Sequence, residues 1–420
     1  MRGGAADVAI SELKIVDWIP AFAGMTRMDI KQVVEKYDKE NITIAVLGSH
    51  SALDVCRGAK SLGFKTLVIT QKGRGTPYSK FYKTRHSERI EESVENKTDP
   101  STSLRMTIGC VDEVLELDNF KDILKPEVQE VLRKRNAIFV PHRSFEVYIN
   151  DYDAIENEFM VPMFGNRKLL RSEERGSGNG VDQYKIMDEA GIRYPKAFKS
   201  PEEIDRLVIV KVLEKERGFE RAFFLVNSSE DFKKASETYI NQGKFTKEAL
   251  DQAVIEEFLV GVQVNFNFFY DPINERLELL GTDTRRQTNL EGFTKIPADD
   301  QKYVRETVGI KFEEAGHIAV TVLESLLELA FEMGQKFVDG CKRLGMPVIG
   351  PFGLQSMILP GPPKKEIVVF DVSPRMPGSP GVAATPYSGY LFGRSISAGD
   401  RVAMEIRDAT DQNKLEEVLT

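Results

Sequence analysis

Residues 253–261 read AVIEEFLVG, an apolar, β-rich run interrupted by two glutamates and closed by a glycine. The pattern is that of a strand ending in a hinge. Upstream, residues 207–211 (LVIVK) make a shorter run that ends in Lys211, and a helical stretch carrying Lys185 stops at Ala190-Gly191. Downstream, Val264, Phe266 and Phe268 alternate with more polar positions, the period of a half-buried strand. Two further strands are expected over 353–359 and 366–372, joined by PGPP at 360–363, a strong turn signal. Helices expected over 325–344 and 400–407 would complete a pair of α+β lobes.

The amino-terminal third reads differently. Residues 41–48 (NITIAVLG) form a buried strand ending in glycine, then a Ser49-His50-Ser51 turn, a helical stretch to Gly63 and a strand over 64–70. Strand, polar turn, helix, strand opens a doubly wound parallel sheet, whose ligands bind beyond the strand carboxyl ends. His50 lies at such an end. A third buried strand, 136–140, runs into PHRSF (141–145) and brings Ser144 to the same edge. Gly48 is not followed by G-x-x-G, so the dinucleotide fingerprint is absent.

Composition narrows the function classes. The chain has 420 residues, 41% hydrophobic and 29% charged, with a net charge of −8; that is globular composition, with room for two or three cores. An acidic balance argues against a broad nucleic-acid surface. No window reaches about 18 apolar residues, so no membrane span is expected. The three cysteines, Cys56, Cys110 and Cys341, are too scattered for a disulfide framework or a C-x-x-C metal site, which fits a cytoplasmic protein. Residues 84–107 form a polar stretch without clean periodicity, long for a connection inside a domain. Its end, LRMT, echoes AGMT at 23–26. Residues 1–27 and an insertion near 85–109 are therefore expected to stand outside the fold.

A strand-end lysine, a flexible loop, a Glu-Glu hinge and a late acidic strand, in that order, are the layout of an ATP-grasp enzyme, in which two lobes clamp ATP. Lys185 and Lys211 would reach the phosphates as compact positive charges. The main chain at Glu257, Phe258 and Leu259 would read adenine, and Gln263 would take a ribose hydroxyl. Gln355 and Asp371, if paired on one face of their hairpin, could hold Mg²⁺ or Mn²⁺ between protein and phosphates; the plainer reading is a buried polar pair. Arg285, Arg286 and Arg375 are candidates for anion binding through guanidinium forks. Arg285 and Arg375 are the expected catalytic cations.

Several segments together resemble the archaeal-type formate-dependent AICAR ligase (FAICAR synthetase) family: IAVLGSHS (44–51), PHRSF (141–145), VPMFGNR (161–167), GPFGLQS (350–356) and VVFDVSPR (368–375). The resemblance runs from about residue 28 to the end. It implies a ligase that uses ATP to activate formate as formyl phosphate and transfers the formyl group to the 5-amino group of AICAR. It also implies that His50, Ser144 and Asn289 contact AICAR, that Lys211, Glu257 and Gln263 line the ATP site, and that Gln355 and Asp371 bind the metal. A homo-oligomer is implied too. Three positions depart from the family pattern: the phosphate loop 212–221 has a single glycine, Arg143 stands where glycine is usual, and Asp371 replaces glutamate. These leave two alternatives, a ligase for another carboxylate–amine pair or a non-catalytic nucleotide-binding paralogue. The expected organisation is an extension (1–27), an α/β substrate domain (28–150) and an ATP-grasp domain (151–420).

Overall fold

The computed structural model describes residues 30–86, 107–174, 180–212, 223–308, 314–361 and 363–420. The extension 1–27, residues 87–106 of the insertion and residues 213–221 of the phosphate loop lie outside the described residues.

Strand β1 (Thr43–Leu47) is buried at every position, which suits only the interior of a sheet covered on both faces. It pairs in parallel with β2 (Lys65–Gln71). A two-residue antiparallel ribbon follows, β3 (Arg85–His86) with β4 (Thr107–Ile108). Then β5 (Glu113–Leu117) and β6 (Ala137–Phe139) complete a four-stranded parallel sheet of order β5-β2-β1-β6. In the ribbon His86 is the partner of Thr107, the spacing that a two-residue turn can close. Replacing residues 87–106 by Asn-Gly is therefore expected to keep one cooperative unfolding transition. Shortening the loop should raise stability by as much as about 2 kcal/mol. Urea denaturation checks this, and loss of cooperativity would show that the insertion belongs to the core.

The second half holds two antiparallel sheets. β7 (Ala197–Phe198), β8 (Val208–Lys211), β9 (Phe223–Val226) and β10 (Val254–Glu257) pair in the order β7-β10-β8-β9. Phe198, Val208, Val210, Phe224 and Ile255 of this sheet pack with Phe232 and Phe245. The larger sheet has the order β13-β12-β11-β14-β15, from β11 (Val262–Asp271), β12 (Arg276–Gln287), β13 (Glu314–Val320), β14 (Gly350–Leu359) and β15 (Glu366–Ser373). One face is apolar: Val264, Phe266, Phe268, Phe352 and Leu354 pack with Ile186 and Met187 of helix Gln183–Ala190 and with Phe337 and Cys341 of helix Leu327–Arg343. The other face is polar and carries the candidate site.

The last long helix corrects one expectation. Helix Ala398–Asp411 does not complete the pair of α+β lobes; it returns to the first sheet, where Val402, Ala403, Ile406 and Ala409 join the core of Ile44, Val46, Val55 and Cys56. Two glycines allow the approach. A Cβ on Gly58 would lie 2.3 Å from the Gly399 carbonyl oxygen, and one on Gly399 would lie 2.3 Å from that of Asp54. The same helix buries Arg401, whose guanidinium bonds Glu278 (2.7 Å), Asp271 (3.0 Å) and Glu405 (2.8 Å) over the Phe269 ring. Packing thus crosses the chain-order division at residue 150 and ties the two halves together.

Candidate active site

At the carboxyl end of β1 the chain turns sharply and His50 adopts a left-handed φ of 47°. Its ring stacks on His142 at 5.7 Å and lies against Gly378, where a Cβ would come within 2.1 Å of the imidazole. The neighbouring Ser51 hydroxyl donates to the Pro377 carbonyl (2.5 Å), so the turn is tied to the second half of the chain. His142 is fully buried. Its Nδ1 accepts from the Ser144 N–H (3.2 Å) and its Nε2 donates to the Leu47 carbonyl (2.9 Å), so the ring is neutral with its proton on Nε2. Burial lowers His142 to about 3, and burial together with the Arg375 charge lowers His50 to about 4. Ser144, in the first turn of helix Arg143–Ile149, is buried beside them.

Opposite this edge stands the polar face of the five-stranded sheet. Register aligns Asp283, Asn265, Gln355 and Asp371 across four adjacent strands. Asp283 accepts from Asn265 (3.0 Å) and Asn267 (2.6 Å) and pairs with His317 Nδ1. His317 Nε2 meets Glu314 at 3.0 Å, and the other Glu314 oxygen lies 3.1 Å from Arg285 Nε. Arg285 donates to the Gln355 carbonyl (3.1 Å), and the Gln355 amide donates to Asp371 (2.8 Å), which also accepts from Gln183 (3.3 Å). Sequence reasoning missed Asp283, Asn265, Asn267, Glu314 and His317. The polar positions alternating with Val264, Phe266 and Phe268 were a readable signal for the asparagines; residues 314–320 carried none.

A histidine whose two ring nitrogens both face carboxylates is held as an imidazolium. His317 is raised to about 9, against a cost of burial, by its bonds to Asp283 and Glu314. A raised pKa stabilises the fold fully below the unfolded value near 6.5, and that contribution is lost as pH rises through about 9. His50 and His142 act in the opposite sense: their contribution is present above 6.5 and is lost as pH falls through 4 and then 3. Stability should therefore fall by about 2–3 kcal/mol between pH 7 and pH 9.5. Urea midpoints across that range check it, and His317→Gln should flatten the alkaline fall.

The expected ATP residues are distributed as follows. Lys211, at the end of β8, pairs with Glu256, which also accepts from the Tyr184 hydroxyl (2.9 Å). Lys185 is one residue away on helix Gln183–Ala190 but is exposed. Glu257 points the other way, to Arg193 (3.1 Å) and Arg206 (3.4 Å). The N–H groups of Glu257 and Phe258 are occupied by the Lys196 and Leu207 carbonyls, so among the three hinge residues Leu259 is the one with its N–H outside that pairing. Gln263, the second residue of β11, lies on the face of Asn265. Asn289 lies in the first turn of helix Thr288–Phe293, just past Arg285 and Arg286, and Arg286 is taken up by Glu291.

Arg375 departs from the expectation of an open anion binder. It is 8% exposed and bonded to Glu146 (3.2 Å) and Glu173 (2.8 Å). Arg143 joins them at 3.2 Å from Glu146 and 3.4 Å from Glu173. Burial, then the Glu173 charge, pushes Glu146 up to about 8 against the pull of both arginines. Through these bonds Arg375 ties the Glu146 helix of the first half to the strand end of the second.

Gln355 and Asp371 do share one face, as partners in register. They hydrogen-bond to each other, which is the geometry of the plainer reading as well. Among the described residues no cluster of three or more His, Cys, Asp or Glu could hold a metal ion. One carboxylate and one amide fit a Mg²⁺ held chiefly by substrate phosphates, not a cage built by the protein.

A doubly wound domain facing a two-sheet clasp, with a polar strand row between them, defines an ATP-grasp architecture. Residues 44–198 match a family described as a protein of unknown function (DUF1246), and residues 231–420 one described as a domain of unknown function (DUF1297). Proteins called 5-formaminoimidazole-4-carboxamide-1-(beta)-D-ribofuranosyl 5'-monophosphate synthetase are 38% identical in both Methanopyrus kandleri and Methanocaldococcus jannaschii, covering 94% of this chain and 100% of each relative. The chain belongs to that synthetase family. The crystal structure of an IMP biosynthesis protein PurP from Thermococcus kodakaraensis superposes with a TM-score of 0.60 at 26% identity, over 90% of this chain and 100% of that one. An ADP complex of N5-carboxyaminoimidazole ribonucleotide synthetase, at 12% identity and a TM-score of 0.50 over 81% of this chain and 72% of that one, shares the fold.

Proposed function

We propose that the protein is an ATP-dependent carbon–nitrogen ligase that formylates the 5-amino group of AICAR with formate, giving FAICAR, ADP and phosphate. The observation that carries this reading is the 38% identity, across nearly the whole chain, to synthetases named for that product. A formate oxygen takes the γ-phosphoryl group of ATP and ADP leaves. The amine nitrogen then attacks the formyl carbon, the carbon–oxygen bond to phosphate breaks, and the departing phosphate can carry the amine proton. No side chain has to act as nucleophile, so positioning and charge compensation suffice.

Arg285 would face the transferring phosphoryl group, fixed from behind by Glu314 and Gln355. Gln355 and Asp371 would hold Mg²⁺ or Mn²⁺, which when bound neutralises phosphate charge. Lys211 and Lys185 would meet the polyphosphate, the Glu257–Phe258–Leu259 main chain the adenine, and Gln263 the ribose. His50, Ser144 and Asn289 would border the AICAR site, with Arg375 joining the two halves behind it. Closure would protect formyl phosphate from water.

The reading is of a cytoplasmic homo-oligomer acting on small molecules alone, with neither nucleic acid nor membrane as partner; among the described residues no helix is long and apolar enough to cross a membrane. The test is ADP release by the purified protein. A requirement for both AICAR and formate supports the proposal. Release with a different acid and amine selects another ligase, and binding without turnover selects a non-catalytic paralogue.

A further inference from the structure

Strand β13 contains an irregularity that serves the polar face of the five-stranded sheet. Arg285 and Arg286 of β12 stand opposite His317 and Gly316, but Gln287 stands opposite Glu314. Ala315 is therefore an extra residue with no counterpart on β12, a β-bulge. Glu314 and His317 are three positions apart, and in a regular strand residues at that spacing point to opposite faces. The bulge turns Glu314 back onto the face of His317, where its carboxylate meets His317 Nε2 at 3.0 Å. Gly316 takes the φ of 144° that the bulge requires, a conformation rarely open to residues with a Cβ.

The pair so formed links a buried anchor to Arg285. Asp283, with no exposure, is held by Asn265 and Asn267 and meets the other ring nitrogen of His317. One Glu314 oxygen accepts from His317 Nε2, and the other forms the ion pair with Arg285 Nε at 3.1 Å. Among the described residues that Nε–H is buried without an aligned hydrogen bond, so the ion pair does not fix its own angle. Gln355 holds one arm of the guanidinium at 3.1 Å; the other side follows the hold on Glu314. His317 supplies that hold: its bond, ahead of the Arg285 charge, keeps the Glu314 carboxyl below the usual range. The charged and titratable groups facing His317 are Asp283 and Arg285 from β12, Glu314 from β13 and His50 from the turn after β1. The turn Pro380–Ala384, packed on β13, has no titratable side chain.

We propose that His317 is a positioning residue for the ligase reaction: through Glu314 it fixes Arg285 against the site of phosphoryl transfer. The inference rests on the ligase reading and on the place that reading gives Arg285. The imidazolium donates at both nitrogens at once, to Asp283 and to Glu314, and loss of one proton turns a lone pair against one of the carboxylates. Glu314, whose side chain is 38% exposed against 1% for Asp283, is the partner free to swing out, and Arg285 would follow it. Against the cost of burial, the bonds to Asp283 and Glu314 hold His317 up at about 9. The positioned state is therefore complete at neutral pH and is lost as pH rises through that value.

The experiment is the pH profile of kcat for ADP release by the wild type, His317→Gln, Glu314→Gln, Arg285→Met and the variant carrying both His317→Gln and Arg285→Met. Far-UV circular dichroism confirms that each is folded under assay conditions. Wild-type kcat should fall about tenfold between about pH 8 and about pH 10. His317→Gln should start about 10–100-fold below wild type at neutral pH and stay level over that range, with KM for ATP within about threefold. Glu314→Gln leaves the buried Asp283–His317 pair in place and should show the same loss at neutral pH, so the outcome does not hang on a core substitution. In the Arg285→Met background, His317→Gln should lower kcat by less than about threefold more. If either glutamine variant keeps kcat within about threefold of wild type while Arg285→Met does not, or if His317→Gln costs its full factor in both backgrounds, the positioning role is wrong and Arg285 stands. If Arg285→Met itself keeps wild-type kcat, Arg285 and its positioning residue fall together. ADP release driven by another acid and amine overturns the AICAR reading alone, and the same profile run with that pair still decides the role of His317.

Discussion

Arg285→Met is expected to lower kcat for ADP release by about 10²–10³-fold while leaving the urea unfolding midpoint nearly unchanged. Two contacts fix the guanidinium from behind, Glu314 at 3.1 Å and Gln355 at 3.1 Å, and its side chain is 30% exposed. Ordering is therefore complete before substrate arrives, which is what makes such a charge effective. Removing it costs more than the lost attraction. Glu314 would then face the polyphosphate without the guanidinium between them, so repulsion would replace that part of the neutralisation. Stability is spared because Glu314 keeps its bond to the His317 imidazolium (3.0 Å) and Asp371 keeps Gln183 (3.3 Å) and Gln355 (2.8 Å). Arg285→Lys retains charge but cannot reach Glu314 and Gln355 together, so it should recover part of kcat and no more. A methionine variant within about threefold of wild type in kcat would remove Arg285 from the chemistry.

The parallel sheet and the Gln355–Asp371 hairpin were legible because each depends on local pattern. Buried runs ending in Gly48 and Val140, and the PGPP turn at 360–363, declare their strands without reference to anything distant. The role of Arg375 was not legible in the same way. Its compensation by Glu146 and Glu173 joins residues 229 and 202 positions away, and no spacing rule reaches that far. The same holds for His317, whose imidazolium state depends on a carboxylate 34 residues earlier. Helix 398–411 was found, but its destination was not, since amphipathic spacing tells which face is apolar and not which core receives it. Sequence reading named the strand ends that line the cleft; the pairing of charges inside it came only from tertiary packing.

Arg401→Met is expected to destabilise the fold by about 3–5 kcal/mol, the range seen when one partner of a buried charge network is removed. Arg401 is 1% exposed and serves three carboxylates, Asp271, Glu278 and Glu405, each also about 1% exposed or less. Without it those carboxylates stay buried with Arg276 as the nearest remaining cation. Arg276 has a half-exposed side chain, and a solvent-screened pair contributes well under what the buried one did. Burial has already raised Glu405 to about 7, so this carboxylate is the first to take up a proton when the arginine is gone. Adding Glu405→Leu to the methionine variant should therefore recover more than about 1 kcal/mol, a coupling that two independent sites would not show. The consequence reaches the active site through connectivity. Asp271 and Glu278 stand at one end of the β11–β12 hairpin whose other end carries Asn265, Asp283 and Arg285. The helix bearing Arg401 is held to the first domain by Asp400 on Arg57 (2.7 Å) and by the Gly399 N–H on Asp54 (2.9 Å). Arg401 thus connects the two walls of the cleft from behind. The methionine variant should keep its kcat where it remains folded and lose activity at a lower temperature than wild type. Loss of kcat at low temperature, with the unfolding midpoint unchanged, would show that the network belongs to the chemistry and not to the frame that holds it.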